Sequence, residues 1–225
     1  TEAEIRWFQI VPDVSKYYKN ANHPWESNPY KWVGFGKIDY EVRELTAWRN
    51  KWEISEVASD AFRVPGAAAH YRDDLGSFWL QAQVRKNGKR SRSAGLKENT
   101  DRNLSPSVFR LTIRKNDEYL GHLTGFFNVP GLFGSIPYQC SNYIGIDCAD
   151  VLVTARRKWR GLSGSKDYNV SMLVGEWPKV ARFEMEGGSP ADDPVAWGEK
   201  VKPGDLIAVR YSPKRQFQHI GALYE

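Results

Sequence analysis

Two side chains in this sequence could work together as a nucleophile and a base, the thiol of Cys148 and the imidazole of His219. Cys148 stands in Ile144-Gly145-Ile146-Asp147-Cys148-Ala149-Asp150-Val151-Leu152, where an apolar, helix-compatible run begins. A thiol in the first turn of a helix faces unpaired backbone N–H groups and the positive end of the helix dipole, and both favour thiolate over thiol. The competing reading is a buried structural cysteine. His219 opens the strand-like segment His219-Ile220-Gly221-Ala222-Leu223-Tyr224. An imidazole at a strand end can face a cleft and titrates near neutrality. The competing reading there is a surface histidine at a strand edge. Thiol, imidazole and backbone donors for an oxyanion are the parts that acyl transfer to sulfur requires.

The elements that must position these groups divide into two stretches. In the first, Ile38, Tyr40 and Val42 alternate with Asp39, Glu41 and Arg43, and Trp52 and Ile54 alternate with Glu53 and Ser55, which predicts a hairpin. Phe78, Leu80, Ala82 and Val84 alternate with Trp79, Gln81, Gln83 and Arg85 and lead into Asn87-Gly88, a strong hairpin signal. Residues 108–113 read as another strand, 96–107 as a loop, and 12–36 as an aromatic-rich irregular segment. Residues 1–114 therefore read as an all-β unit, a sandwich or barrel.

The pattern changes near Arg114. Leu120, Leu123, Phe126 and Phe127 fall at helical spacing, with Asp117 as the expected N-cap. A Gly/Pro/Ser-rich loop follows over 128–143. A helix is predicted from Cys148 to about Arg160, stopping at Gly161. Ser171–Val174 and Ala181–Met185 read as strands, with a loop from Gly187 through Pro194. Leu206–Tyr211 and Ile220–Tyr224 read as adjacent strands joined by a turn at Ser212-Pro213-Lys214-Arg215.

Composition narrows the field less. The chain has 225 residues, of which 41% are hydrophobic and 13% aromatic, enough for a sizeable core. Nine Trp and eleven Tyr fill a β-rich core or line sugar and peptide grooves. The net charge of +5 suits an anionic partner, but the basic residues are spread. The densest groups, Arg85/Lys86/Lys89/Arg90/Arg92 and Arg156/Arg157/Lys158/Arg160, read as a solvated hairpin tip and a helix C-terminus, so no nucleic-acid partner is expected. No run approaches membrane-spanning length. Cys140 and Cys148 are too few for a disulfide scaffold, though they could bridge, and no Cys/His spacing indicates a metal site. No cofactor is expected. The chain opens at Thr1 without a leader-like segment, as expected of a mature or trimmed form.

Four segments carry a resemblance. Gly145-Ile146-Asp147-Cys148-Ala149-Asp150 resembles the Asp-Cys-Ser-Gly signature of the NlpC-type cell-wall cysteine peptidases. Lys202-Pro203-Gly204-Asp205-Leu206-Ile207 is similar to that family's Pro-Gly-Asp-Leu strand, and Gln218-His219-Ile220-Gly221-Ala222-Leu223-Tyr224 to its His-Val-Gly-Ile-Tyr strand. Pro137-Tyr138 resembles the Pro-Tyr that precedes the nucleophile. The resemblance covers roughly 115–225. It implies a papain-like cysteine hydrolase domain after the all-β domain of 1–114, an α+β chain in all. It further implies hydrolysis of peptide bonds in peptidoglycan stem peptides by a secreted, periplasmic or cell-envelope enzyme.

The resemblance assigns Cys148 as nucleophile, His219 as general base and then acid, and Tyr138 with the Cys148 N–H as oxyanion donors. Asp147, Ala149 and Asp150 would face the substrate; read from the residues alone, the Asp147 carboxylate could pair a cationic amine or equally cap the helix N-terminus. The family's Ser-Gly after the nucleophile is here Ala149-Asp150, and Asp150 puts a negative charge near the thiol. The residue that orients the imidazole normally follows on the next strand. The chain ends at Glu225, so that residue lies beyond it or comes from elsewhere, Asp205 being one choice. Two alternatives stay open: a CHAP-type amidase or other thiol acyl-transfer enzyme on the same fold, and a binding protein that keeps the scaffold without catalysis.

Overall fold

The computed structural model describes residues 2–186, 189–191, 196–211 and 216–224. The expected turn at 212–215, parts of the loop expected at 187–194, and the terminal residues Thr1 and Glu225 lie outside the described residues. The chain begins with β1 (Glu4–Pro12), β2 (Tyr18–Lys19), β3 (Tyr40–Glu44), β4 (Gly76–Lys86), β5 (Lys89–Arg92) and β6 (Phe109–Ile113). It continues through α1 (Tyr119–Thr124), β7 (Leu132–Phe133), α2 (Pro137–Ser141), α3 (Cys148–Arg160) and α4 (Val170–Glu176). It ends with β8 (Met185–Glu186), β9 (Ser189–Pro190), β10 (Leu206–Val209) and β11 (His219–Ala222). The fold is α+β.

One antiparallel sheet dominates. β1 pairs with β3 on one edge and β4 on the other, and β4 then carries β6 and β5 in succession along its far edge. β4 is long enough to do this because its apolar alternation is unbroken. Phe78 and Leu80 enter a cluster with Trp48 and Phe62, while Trp79 enters another with Ile10. The β4–β5 hairpin turns at Asn87 and Gly88, both at positive φ, as the dipeptide predicts. Its basic residues are exposed.

Several expectations require correction. Residues 52–54 are not a strand: β3 pairs with β1, Asn50 turns the chain away at φ 60°, and the Trp7 indole N–H instead bonds the Lys51 carbonyl. Ser171–Val174 lies inside α4. Asn169 caps that helix through the Met172 N–H, and Val170 and Leu173 share its buried face, which outweighs valine's strand preference. Of the strand expected over 181–185 only Met185 is in a strand, the two-residue β8, which pairs with Ser189–Pro190 of the expected loop. The 117–127 helix is confined to α1, with Glu118 as N-cap. Asp117 is instead paired to Arg114 at 2.6 Å. Cys140 and Cys148 are both free thiols.

The boundary expected at residue 114 falls between β6 and α1, and packing runs across it. Ile10, Trp79, Leu104 and Val108 share one cluster with Phe126, Val129, Tyr143 and Ala155. Tyr18 and Ile38 share another with Leu132 and Ile144, beneath the parallel β2–β7 pair. Fully buried Asn20 adds polar ties: its side-chain amide donates to Gly134 O at 3.0 Å and to Gln139 Oε1 at 2.7 Å, and its oxygen accepts from Gly36 N–H.

Candidate active site around Cys148

Helix α3 starts and stops where its sequence directs. Asp147 is the N-cap, with extended backbone, and its Oδ1 accepts from Ala149 N–H at 3.0 Å and Asp150 N–H at 2.9 Å. Gly161 closes the helix at φ 62°, a left-handed conformation that a residue without Cβ adopts freely. Ala149, Leu152, Val153 and Ala155 bury one face. Cys148 is therefore the first helical residue, as its sequence context predicts.

The β10–β11 hairpin lies against this helix start. Ile220 packs on Ala149, Leu152 and Val153, and its backbone N–H is near enough to the Cys148 thiol to favour the charged form. His219, paired with Val209 in the ladder, is exposed. Strand alternation turns Ile220 toward α3 and His219 to the opposite face. Among the described residues, no hydrogen bond joins His219 to Cys148. The thiol thus reaches the strand of the expected base, one residue from it.

The thiol's electrostatics differ from the simple helix-dipole expectation. Burial pushes its pKa above the ordinary value and the adjacent Asp147 carboxylate adds to this, while the N–H groups of Ile220, Cys148 and Ala149 pull the other way. Desolvation wins because a half-buried sulfur loses more hydration than three weak N–H contacts restore.

Asp147 and Asp150 belong to a carboxyl cluster. Ser135 Oγ donates to Asp150 Oδ2 at 2.8 Å and accepts from Asp147 N–H at 3.1 Å. Burial raises Asp147 and Asp150 well above the usual carboxylate range, and the negative charge of Asp147 raises Asp150 further. Asp150 shares a hydrogen bond with Asp167, which lies in the segment after α3. Two carboxyl groups can make that bond only when one of them is protonated. Asp150 is 3% exposed, so it supports the loop before α3 rather than facing substrate. Ala149 is likewise buried against Ile220.

Tyr138 lies on α2, half exposed, with the Arg102 guanidinium 5.3 Å from its ring centroid. Among the described residues, no hydrogen bond links it to Cys148. Another tyrosine feels the charge of Asp147 and Cys148. Tyr17 comes from the first stretch of the chain and sits over Gly131, where an added Cβ would lie 2.8 Å from its ring. Gly131 bridges to Ile146, immediately before Asp147. Partial desolvation of the phenol, followed by the charges of Asp147 and Cys148, raises the Tyr17 pKa although the residue as a whole is largely exposed. Asp205 accepts from Lys202 N–H within its own turn.

Ser135, Asp167 and Tyr17 are the site residues that sequence reasoning missed. Each reaches α3 from a distant segment and carries no local motif, so only the tertiary packing reveals it. Among the described residues, no group of three or more His, Cys, Asp or Glu is placed to hold a metal ion, and no helix is long and apolar enough to cross a membrane. No family model, curated protein or solved structure matches this chain.

Proposed function

We propose that the chain is a thiol-dependent hydrolase of peptide bonds, acting on cell-wall stem peptides, with Cys148 as nucleophile and His219 as base. The finer reading of its fold is a papain-like core formed by α3 and the β10–β11 hairpin. The observation that supports the reading is the placement of the Cys148 thiol at the first turn of α3, with Ile220 of the His219 strand packed against that helix start. A side chain one residue along the same strand reaches the thiol if the strand start rotates as substrate binds, and catalytic hydrogen bonds commonly tighten only in the complex.

In this mechanism the thiol proton passes to His219 as sulfur attacks the scissile carbonyl. The Cys148 N–H and a tyrosine hydroxyl steady the oxyanion. His219 then protonates the departing amine, leaving a thioester, and finally deprotonates the water that cleaves it and restores the thiol. Tyr138 is the donor the resemblance assigns, and Tyr17 is the one the packing brings near. The test is release of new amino groups from purified cell-wall peptides. Activity is expected in the parent and lost in Cys148→Ala and His219→Ala, and equal release by Cys148→Ala would refute the reading. An amidase would instead free the sugar-linked lactyl group, which product analysis distinguishes.

A second reading, a scaffold that binds without catalysis, is favoured by the raised thiol pKa and the exposed imidazole. It predicts no release by the parent protein and unchanged binding in Cys148→Ala.

A further inference from the structure

We propose that the aromatic stack beside Tyr17 is a binding platform for the pyranose rings of an oligosaccharide. Trp25 stacks on His23 with ring centroids 4.5 Å apart and planes 4° from parallel. His23 is flanked in turn by Phe133 at 4.6 Å and Tyr17 at 5.5 Å, and Tyr30 lies 6.2 Å from Phe133. The stack is ordered yet open. Trp25 is 76% exposed, and Tyr30 and Tyr17 are each about 60% exposed. One face of the Trp25 indole lies on His23, so its exposure belongs to the other face. Contiguous exposed aromatic surface of this kind marks a binding site.

The surroundings select the ligand. A sugar ring presents an apolar C–H face bordered by hydroxyls, so it needs a flat aromatic surface with hydrogen-bonding groups at its edge. Here the edge holds Lys19 and Glu26, joined at 2.6 Å and partly exposed, and the Asn22 amide, which bonds Asn28 O. A cationic ligand is the poorer fit, since Glu26 is already neutralised by Lys19. His23 is no charged intruder in the stack, because burial, followed by the Lys19 charge, lowers its pKa and keeps the ring neutral at neutral pH. A neutral, amphipathic ring ligand matches both the stack and its edge.

The platform also has a position. Tyr17 is its inner member, and its phenol is close enough to Asp147 and Cys148 to feel their charge. Ring binding does not depend on the hydrolase reading and is measured without turnover.

The experiment is calorimetric titration of the full chain, in the Cys148→Ala form, with β-1,4-linked tetrasaccharides of glucose and of N-acetylglucosamine. Saturable binding of at least one is expected. Trp25→Ala and Tyr30→Ala, both at exposed positions that leave the fold intact, should each weaken it by about tenfold. Trp52→Ala, an exposed tryptophan outside the stack, should leave it unchanged. Absence of binding to either sugar, equal loss in Trp52→Ala, or full affinity in Trp25→Ala overturns the proposal. So does saturable binding of a single-stranded oligonucleotide that Trp25→Ala abolishes while neither sugar binds. Sugar binding without peptide release would sink the hydrolase reading and leave the platform standing.

Discussion

Asp147 caps the helix that Cys148 begins, and the same carboxylate raises the pKa of the thiol beside it. The two effects are separable because asparagine caps a helix about as well as aspartate but carries no charge. Asp147→Asn should therefore keep α3 intact while lowering the pKa of Cys148. Near neutrality a lower pKa raises the thiolate fraction by more than it lowers intrinsic reactivity, because nucleophilicity falls with only about 0.4–0.5 of the pKa change, so the alkylation rate should rise. Iodoacetamide kinetics between pH 6 and 10 measure this. Cys140 serves as an internal silent thiol, since it is fully buried and its pKa is raised well above the ordinary value. An unchanged or slower Cys148 profile in Asp147→Asn would show that burial alone sets the thiol.

The start of α3 was legible in the sequence because its signals are local: Asp147 before an apolar run, and Gly161 after a basic last turn. The Asn87-Gly88 hairpin was legible for the same reason. The environment of the thiol was not. Ser135, Asp167 and Tyr17 reach it through long-range packing, and a helix-dipole argument sees the N–H groups of the first turn but not the lost hydration. The error over 171–174 has another cause. Valine's strand preference is a statement about half-buried pleated surfaces, and Asn169 with the Val170/Leu173 spacing overrides it. The packing across residue 114 was hidden because Asn20 is a single polar residue whose partners are the backbone of Gly36 and Gly134 and the lone Gln139 side chain, which form no pattern.

Asp150 should make the protein less stable as pH rises. Its folded pKa is about 8 against an ordinary 3.8, so the folded state holds a proton that the unfolded state gives up. Any stability tied to that proton is complete below about pH 4, declines between about 4 and 8, and is gone above 8. Asp150→Asn cannot ionise, yet its amide can still accept from Ser135 and donate to Asp167. Urea denaturation at pH 4.5, 6.5 and 8.5 should show the variant gaining on the parent at each step, by several kcal/mol between the lowest and the highest pH. Asp147 and Asp167 are coupled to Asp150, so the difference between the two curves reports the proton that the three carboxyl groups hold through Asp150. A difference that stays flat with pH would mean that Asp150 is ionised in the folded protein at all three.

Gly145→Ala should strain the segment that delivers Asp147 to the helix. A Cβ at Gly145 would lie 2.6 Å from Leu132 Cδ2 and 2.8 Å from Leu132 Cβ, and Leu132 is fully buried and cannot swing away. Overpacking of this kind costs about 1–3 kcal/mol. Leu132→Ala in the Gly145→Ala background should be milder than the sum of the two single changes, since the smaller side chain makes room for the added methyl. Thermal denaturation of the four proteins in the cycle measures this, and strict additivity would refute the contact.

Asn20→Ala tests whether the two stretches unfold together. The side chain is fully buried and holds Gly36 on one side and Gly134 and Gln139 on the other. Its removal leaves the Gly36 N–H and Gly134 carbonyl without those partners, at a cost of about 3 kcal/mol. If the clusters that cross residue 114 make one cooperative unit, the loss appears as one transition shifted to lower denaturant, with an unchanged slope. Tryptophan fluorescence reports on both stretches because Trp48 and Trp79 are buried in the first and Trp159 lies on α3. Replacing all tryptophans but Trp79, or all but Trp159, should then give coincident curves in Asn20→Ala. Two separated transitions, with only one shifted, would show that residues before and after 114 fold as independent domains despite their shared packing.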